Sequence, residues 1–169
     1  MILYLCRHAI AADATGSMSD ADRALTAEGI RKFREAAKGF VSLEPDISHI
    51  FSSPLLRARQ TAELLADAFA QTKRDTALEI LECLGTAANE RALDNLLHTL
   101  RGTRRIRDAV AVGHEPQVSA WLSRLCFAGA ASGCEFKKGG IAALELADRG
   151  PHAKLLWLLQ PKHLRNLGS

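Results

Sequence analysis

Ile-Leu-Tyr-Leu-Cys-Arg-His, residues 2–8, is an apolar run of strand length that ends on two polar side chains. Such a run is typical of a buried parallel strand, which delivers the residues that follow it to the carboxyl edge of the sheet. Open α/β sheets bind their ligands at this edge. The stretch therefore predicts that Arg7 and His8 face a crevice, as an anion-binding guanidinium beside a potential nucleophile.

The rest of the chain alternates strand and helix patterns, which indicates a layered α/β fold. Strands with intervening helices are predicted at residues 2–6, 47–52, 77–81 and 109–113. The C-terminal part differs, because two further strands, 140–147 and 153–159, flank the turn sequence Asp-Arg-Gly-Pro-His. We expect a three-layer α/β/α sandwich around a mostly parallel mixed sheet, with a C-terminal antiparallel hairpin, in one domain spanning 1–169.

Three helix starts are predicted from residues that favour helix N-termini. Thr26 caps a helix that ends near Leu43. Ser53 and Pro54 combine a capping residue with proline at the first helical position, and Pro116 opens a later helix.

Composition limits the possible partners. The 22 basic and 19 acidic residues give a net charge of +3 and are spread through the chain. One short basic cluster is predicted to be a solvated helix end and loop, and it comprises Arg101, Arg104, Arg105 and Arg107. Aromatic residues make up only 5% of the chain, too few to stack bases between these cations, so nucleic acid is not expected.

Cysteine usage and hydropathy point to the cytoplasm. The four cysteines form no C-x-x-C pair and lie in mostly apolar surroundings, as free thiols do in a reducing compartment. No run of 18 apolar residues occurs, and the N-terminus lacks a basic region followed by a long apolar segment. We expect a soluble cytoplasmic protein without a membrane partner.

Three predicted strands end in the same way, on polar residues at the carboxyl edge. The first gives Arg7-His8, the second gives residues 53–57 with Arg57 in the first turn of a helix, and the third gives residues 113–116. A helix amino end and a guanidinium both favour an anion, and the planar fork of arginine matches phosphate. Two histidines and two arginines are thus expected to converge on one anion site.

These segments resemble the signatures of the histidine phosphatase superfamily, in the branch once grouped with phosphoglycerate mutases. Arg7-His8, the run Ser-Pro-Leu-Leu-Arg-Ala-Arg-Gln-Thr-Ala (53–62) and Gly-His-Glu-Pro (113–116) resemble its motifs. Arg-Ala-Leu-Thr-Ala-Glu-Gly (23–29) and Lys-Gly-Gly-Ile-Ala (138–142) are similar to segments of the SixA-type phosphohistidine phosphatases. Ala24 replaces a common proline, which we expect to loosen that loop without removing chemistry.

The resemblance implies that His8 attacks phosphorus and becomes phosphorylated, while Arg7, Arg57 and His114 hold the phosphoryl oxygens. Arg23 is implied as a further phosphate contact. These roles suit phosphoryl transfer, in which charge spreads over the equatorial oxygens and fixed cations stabilise it. His8 would attack as neutral imidazole, with its other ring nitrogen hydrogen-bonded.

The general acid is left open among three carboxylates. Asp20 is the first candidate, Glu115 the second and Glu90 the third. Asp20 and Glu115 are also candidate substrate contacts. A phosphohistidine substrate needs no such acid when its ring is protonated at the other nitrogen, because imidazole then departs neutral.

The predicted function is a metal-independent phosphatase acting on phosphohistidine in a protein of the histidine phosphotransfer type. Neither an H-E-x-x-H motif nor a zinc-type Cys/His spacing occurs, and there is no P-loop, so no metal and no cofactor is expected. One alternative is hydrolysis of a small phosphate ester. Another is a non-catalytic phosphate-binding protein, against which the presence of His8 argues.

Overall fold

The computed structural model describes residues 1–14, 16, 19–43, 45–74, 76–85, 91–102, 106–129 and 134–168. The strands are β1 (Ile2–Arg7), β2 (Ile47–Ser52), β3 (Ala77–Ile80), β4 (Asp108–Gly113), β5 (Ile141–Leu146) and β6 (Ala153–Leu159). The helices are α1 (Ala27–Val41), α2 (Leu56–Ala70), α3 (Arg91–Gly102), α4 (Gln117–Phe127) and α5 (Pro161–Leu167). Short 3₁₀ turns lie at Asp20–Asp22 and Glu82–Leu84.

The six strands form one mixed sheet in the order β3-β2-β4-β1-β5-β6. The first four strands of that order are parallel to one another. β5 runs antiparallel to β1, and β6 runs antiparallel to β5. The predicted mixed sheet with a C-terminal hairpin is confirmed, and the carboxyl ends of β1, β2 and β4 are neighbours.

Alternating side chains of the sheet feed two hydrophobic cores, one on each face. On β1, Tyr4 and Cys6 pack into the core formed with α1, α2 and α5. Leu3 and Leu5 point the other way, into the core formed with α3 and α4. This alternation is the period of a strand buried on both faces, and it confirms the three layers. Cys6 is fully buried, and burial raises the pKa of its thiol.

The start of α1 is fastened to the loop that follows β1. Thr26 is the N-cap, as predicted, and its hydroxyl accepts a hydrogen bond from the Gly29 N–H at 2.9 Å. The Thr26 N–H donates to the Ile10 carbonyl at 3.0 Å. A Cβ at Gly29 would lie 2.1 Å from that same carbonyl oxygen, so only glycine permits this close approach. The loop after His8 is therefore fixed by a helix end.

Two helix predictions differ from the structure. The second helix begins at Leu56 instead of at Pro54, because the Ser53 hydroxyl is used in a turn and against His114. The C-terminal helix α5 was not expected, although Pro161 at its first turn is a start signal and Leu164 is buried. Within the described residues, no helix is both long enough and apolar enough to cross a bilayer.

Candidate active site

The carboxyl ends of β1, β2 and β4 bring the predicted site residues together. The His8 N–H donates to the Gly113 carbonyl at 3.0 Å, and the Ser53 N–H donates to the Val112 carbonyl at 3.0 Å. These bonds extend the parallel ladders by one residue and align the segments that follow the three strands. The rings of His8 and His114 lie 5.1 Å apart, centroid to centroid. The expected convergence of the strand ends is therefore present in the fold.

The His8 ring is held in an orientation that suits a nucleophile. Its Nδ1 lies 2.7 Å from the carbonyl oxygen of Ala9, in a buried contact. Because a carbonyl only accepts, the proton of the neutral ring belongs on Nδ1, which leaves the Nε2 lone pair free. Burial lowers the pKa of His8 to about 3. The Ala9 carbonyl opposes this effect, whereas His114, Arg57 and Arg7 add to it, so the ring is neutral near pH 7.

Thr61 links the nucleophile loop to the helix that carries Arg57. Its hydroxyl accepts from the Ala9 N–H at 3.0 Å and donates to the Arg57 carbonyl at 2.7 Å. Thr61 is completely buried in α2, four residues after Arg57. No role was predicted for Thr61 from the sequence, although it lies in the 53–62 motif on the same helix face as Arg57. One hydroxyl thus fixes the relative position of two predicted site residues.

Arg57 and Arg23 converge on Asp20. Arg57 is only 4% exposed, and its guanidinium donates to the Asp20 carbonyl at 2.6 Å and to the Asp20 Oδ2 at 3.0 Å. Arg23 donates to Asp20 Oδ1 at 2.8 Å and, through Nε, to the Ala12 carbonyl at 2.7 Å. Hydrogen bonds from Arg23 and then from Arg57 hold the pKa of Asp20 below its usual value. Asp20 is therefore ionised at neutral pH and carries no proton to donate.

Glu115, the second candidate acid, ties the start of α4 to the segment before β5. Its Oε1 accepts from the Ser119 hydroxyl at 2.7 Å and from the Phe136 N–H at 3.0 Å. The Phe136 carbonyl in turn accepts from Arg7 Nη1. Through Phe136, Glu115 therefore helps to fix the position of the Arg7 guanidinium. Glu90, the third candidate, lies outside the described residues.

Two buried nitrogen atoms beside His8 have no hydrogen-bond partner among the described residues. They are Arg7 Nε and His114 Nδ1. The Ser53 hydroxyl accepts from the Leu55 N–H at 3.3 Å and lies 2.8 Å from His114 Nε2. If that hydroxyl donates to Nε2, the proton of neutral His114 sits on Nδ1. Burial is the main reason that the pKa of His114 falls to about 4, so the ring is neutral at neutral pH. With the Ser53 hydroxyl donating to Nε2, His114 Nδ1 and Arg7 Nε are the two N–H donors that remain for a ligand.

A metal centre was not expected from the sequence. In the part of the chain that the structure describes, no group of three or more His, Cys, Asp or Glu side chains is arranged to hold an ion. The local charge comes instead from guanidinium groups, which suit an oxyanion ligand.

Comparison with known proteins assigns the family. Residues 3–85 match the model of the histidine phosphatase superfamily (branch 1). An uncharacterized protein of Picosynechococcus sp. is 35% identical over 146 residues, which cover 85% of this chain and 84% of that protein. The chain belongs to the histidine phosphatase superfamily. The matched segment includes Arg7, His8 and Arg57, and the unmatched remainder includes His114.

Solved structures of this superfamily share the fold over almost the whole chain. The protein histidine phosphatase SixA complexed with tungstate superposes with a TM-score of 0.82 at 25% identity, covering 97% of this chain and 99% of that one. A protein of Agrobacterium tumefaciens assigned as a SixA phosphohistidine phosphatase gives 0.76 at 26% identity, covering 95% and 97%. The predicted SixA-type branch is confirmed, and these matches support the coarser prediction of a phosphatase.

The fold is also shared with a phosphatase of another specificity. A phosphoserine phosphatase of Entamoeba histolytica, in complex with phosphoserine, superposes with a TM-score of 0.65 at 18% identity, covering 96% of this chain and 98% of that one. At this identity the likeness concerns the fold alone.

The buried histidines predict acid sensitivity of this histidine phosphatase superfamily member. Folded His8 and His114 have pKa values of about 3 and about 4, below the value of about 6.5 expected in the unfolded chain. Between these values the unfolded chain binds protons that the folded chain does not. The free energy of unfolding should therefore fall as the pH drops from about 6.5 towards 4. Melting temperatures measured across this range should show the decline.

The control for this prediction is the double variant His8→Asn, His114→Asn, which removes both titrating rings. Its melting temperature should change less between pH 6.5 and 4 than that of the wild type. Parallel curves for the two proteins would show that other groups cause the acid sensitivity.

Proposed function

We propose that this protein is a phosphohistidine phosphatase that works through a phosphorylated His8. The observation that supports the proposal most directly is the Nδ1 contact with the Ala9 carbonyl, which leaves a neutral ring with a free Nε2 lone pair. This ring lies next to His114 and within the electrostatic influence of Arg7 and Arg57. A neutral nucleophile among fixed donors suits attack on a phosphoryl group.

In the first step, the Nε2 lone pair of His8 forms a bond to phosphorus as the bond from phosphorus to the departing group breaks. In this proposal, Arg57, Arg7 Nε and His114 Nδ1 donate hydrogen bonds to the equatorial oxygens. Their contribution is electrostatic, because they are positioned before charge develops on those oxygens. In the second step, water attacks phosphorus, the electron pair of the P–N bond returns to His8 Nε2, and phosphate leaves with both protons of the water, as H₂PO₄⁻. The Nδ1 proton stays on the ring throughout.

The two carboxylates, Asp20 and Glu115, affect substrate specificity because some leaving groups need a general acid and others do not. An alkoxide leaves poorly near neutral pH without an acid, whereas imidazole departs neutral when its distal nitrogen is protonated. Asp20 is ionised by its two arginine partners, and Glu115 is engaged by Ser119 and Phe136. Asp20, as an anion, has no proton to give to a leaving group, and Glu115 Oε1 is directed at Ser119 and Phe136. Phosphohistidine is therefore the substrate class that this site favours, in agreement with its likeness to SixA.

A pair of amide substitutions tests this role of the carboxylates. In the variant Asp20→Asn, Glu115→Gln, hydrolysis of phosphohistidine should stay within about tenfold of the wild type, because the amide oxygens still accept hydrogen bonds. Hydrolysis of alkyl phosphates, already slow, should not improve. Initial rates with both substrates as a function of pH provide the measurement. If either carboxyl is a general acid, both activities and the basic limb of the pH profile should disappear together.

Trapping the intermediate tests the proposed function itself. Incubation with a labelled phosphohistidine donor, followed by a quench that avoids acid, should yield a phosphoenzyme that is acid-labile and base-stable, with the label on His8. The kcat/KM for phosphohistidine should exceed that for alkyl phosphates. A reversed preference would assign the protein to the small-ester phosphatases. Phosphate binding without turnover would make it a phosphate-binding protein.

A further inference from the structure

A second concave surface adjoins the site and is strongly cationic. It is a groove of about 540 Å³ between α1, the start of α5 and the segment before β5. We call it the basic groove; its Lys and Arg residues are Arg7, Lys32, Lys137, Lys138, Lys162 and Arg165. Among the described residues, Glu135 is the one acidic residue in its lining. The chain as a whole carries nearly balanced charge, 22 basic against 19 acidic residues, so this gathering of cations is local.

Three lysines of the basic groove have no carboxylate partner among the described residues. Lys32 pairs with Glu28 at 2.6 Å, and Arg165 lies 3.8 Å from Glu35. For the three remaining lysines, no described carboxylate oxygen lies within 4.0 Å of the ammonium group; they are Lys137, Lys138 and Lys162. Their charge is therefore available to a partner.

The lysines of the basic groove stand on backbone that is fixed to the site. The Gly139 N–H lies 3.1 Å from the carbonyls of both Arg7 and His8, and the Arg7 N–H donates to the Gly140 carbonyl at 3.1 Å. Gln160 holds the other side. Its Oε1 accepts from the Lys137 N–H, and its Nε2 donates to the Glu135 carbonyl, both at 2.9 Å. The groove is thus a fixed extension of the site, joined to it through Arg7.

The floor of the basic groove is apolar, and its lining includes Ala9, Ile10, Phe33 and Pro161. An apolar centre with a charged rim is the usual anatomy of a protein interface. Opposite charge on the partner raises the rate of encounter by about 10–10³-fold at low salt. It also fixes the register in which the partner binds. A small phosphate ester bound at His8 would not need this surface. A protein that presents phosphohistidine would cover it.

We propose that the basic groove is the docking surface for an acidic face of the phosphorylated protein substrate, next to its phosphohistidine. This inference rests on the proposed function, because it specifies the substrate that brings phosphohistidine to His8. The recognised chemistry is a cluster of Asp and Glu side chains beside the phosphorylated histidine.

The test compares two synthetic peptides with one phosphohistidine each, flanked by aspartates in one and by asparagines in the other. The groove variant is Lys137→Glu, Lys138→Glu, Lys162→Glu. The control variant is Arg34→Glu, Lys73→Glu, Arg149→Glu, which makes the same change in net charge at exposed positions outside the basic groove. In a glutamine variant, the same three lysines are replaced by glutamine, which removes their charge without reversing it. This variant keeps the test valid if the glutamate variant misfolds.

Wild-type and control proteins should favour the aspartate peptide by about tenfold in kcat/KM at low salt, and this preference should shrink as salt screens the charges. The groove variant should lose the preference, and the glutamine variant should lose most of it. All four proteins should turn over free phosphohistidine at similar rates. A groove variant that keeps the preference, or a control variant that loses it equally, would overturn the docking assignment.

Binding of the unphosphorylated aspartate peptide, measured by fluorescence anisotropy, separates the two proposals. If the wild type hydrolyses no phosphohistidine, the proposed function fails, and the basic groove is judged on binding alone. Binding at least about tenfold weaker in the groove variant than in the control supports the groove. Equal binding contradicts it.

Discussion

Replacing His8 by alanine should lower phosphohistidine hydrolysis by at least about 10⁴-fold, the scale seen when a covalent nucleophile is removed. The physical reason is that no other described nitrogen in the site combines a free lone pair with a neighbouring ring and guanidinium groups. His114 is the nearest alternative, but its Nε2 faces the Ser53 hydroxyl. The same variant should form no acid-labile phosphoenzyme. Single-turnover rates with labelled phosphohistidine would measure both effects.

The matched control for this prediction is His98→Ala, which removes an exposed histidine from α3. It should keep wild-type turnover and labelling. Turnover by His8→Ala at the wild-type rate would remove His8 from the mechanism, and labelling that persists in this variant would point to another residue.

The second large effect is expected at Arg57. Arg57→Ala should reduce kcat by about 10²–10³-fold, which is the usual loss when one preorganised donor is removed. Arg57→Lys should recover only part of this loss, because an ammonium group cannot reproduce the planar fork of a guanidinium. Steady-state kinetics with phosphohistidine would give kcat and KM separately.

Arg59→Ala offers a comparison within the same helix, because Arg59 is exposed two residues further along α2. Its kinetics should match the wild type. Melting temperatures of all three variants separate a catalytic loss from unfolding. A folded Arg57→Ala protein with unchanged kcat would mean that this guanidinium serves Asp20 alone.

The residues at the strand ends could be predicted from the sequence because each strand is recognised from a short local pattern. Each buried strand is a short apolar run, and parallel strands place their C-terminal neighbours in the chain at one edge of the sheet. Arg7, His8 and His114 each lie at the end of such a run, and Arg57 lies in the first turn of the helix that follows another. Their meeting needed no knowledge of distant contacts. The resemblance to known motifs added the chemistry.

The contacts that support these residues depend on long-range packing, and they could not be predicted from the sequence. Ser53 has the sequence context of a helix cap, yet its hydroxyl contacts His114, which follows β4 and lies 61 positions later in the chain. Asp20 has the context of a loop charge with acid potential, yet Arg57 reaches it across 37 positions. Gln160 has no motif at all. Side chains of this kind acquire their partners only when the layers assemble.

Asp20 competes with any anionic ligand for the guanidinium of Arg57. The guanidinium of Arg57 already holds a carboxylate and a carbonyl from that residue. The binding free energy that an anion gains from Arg57 is only the difference between its own hydrogen bonds and the Asp20 hydrogen bonds that it displaces. Weak, singly charged anions gain little from such an exchange, whereas a phosphoryl group brings more charge and more oxygen atoms. Selectivity against weakly binding anions thus resides in the Arg57–Asp20 interaction within the protein.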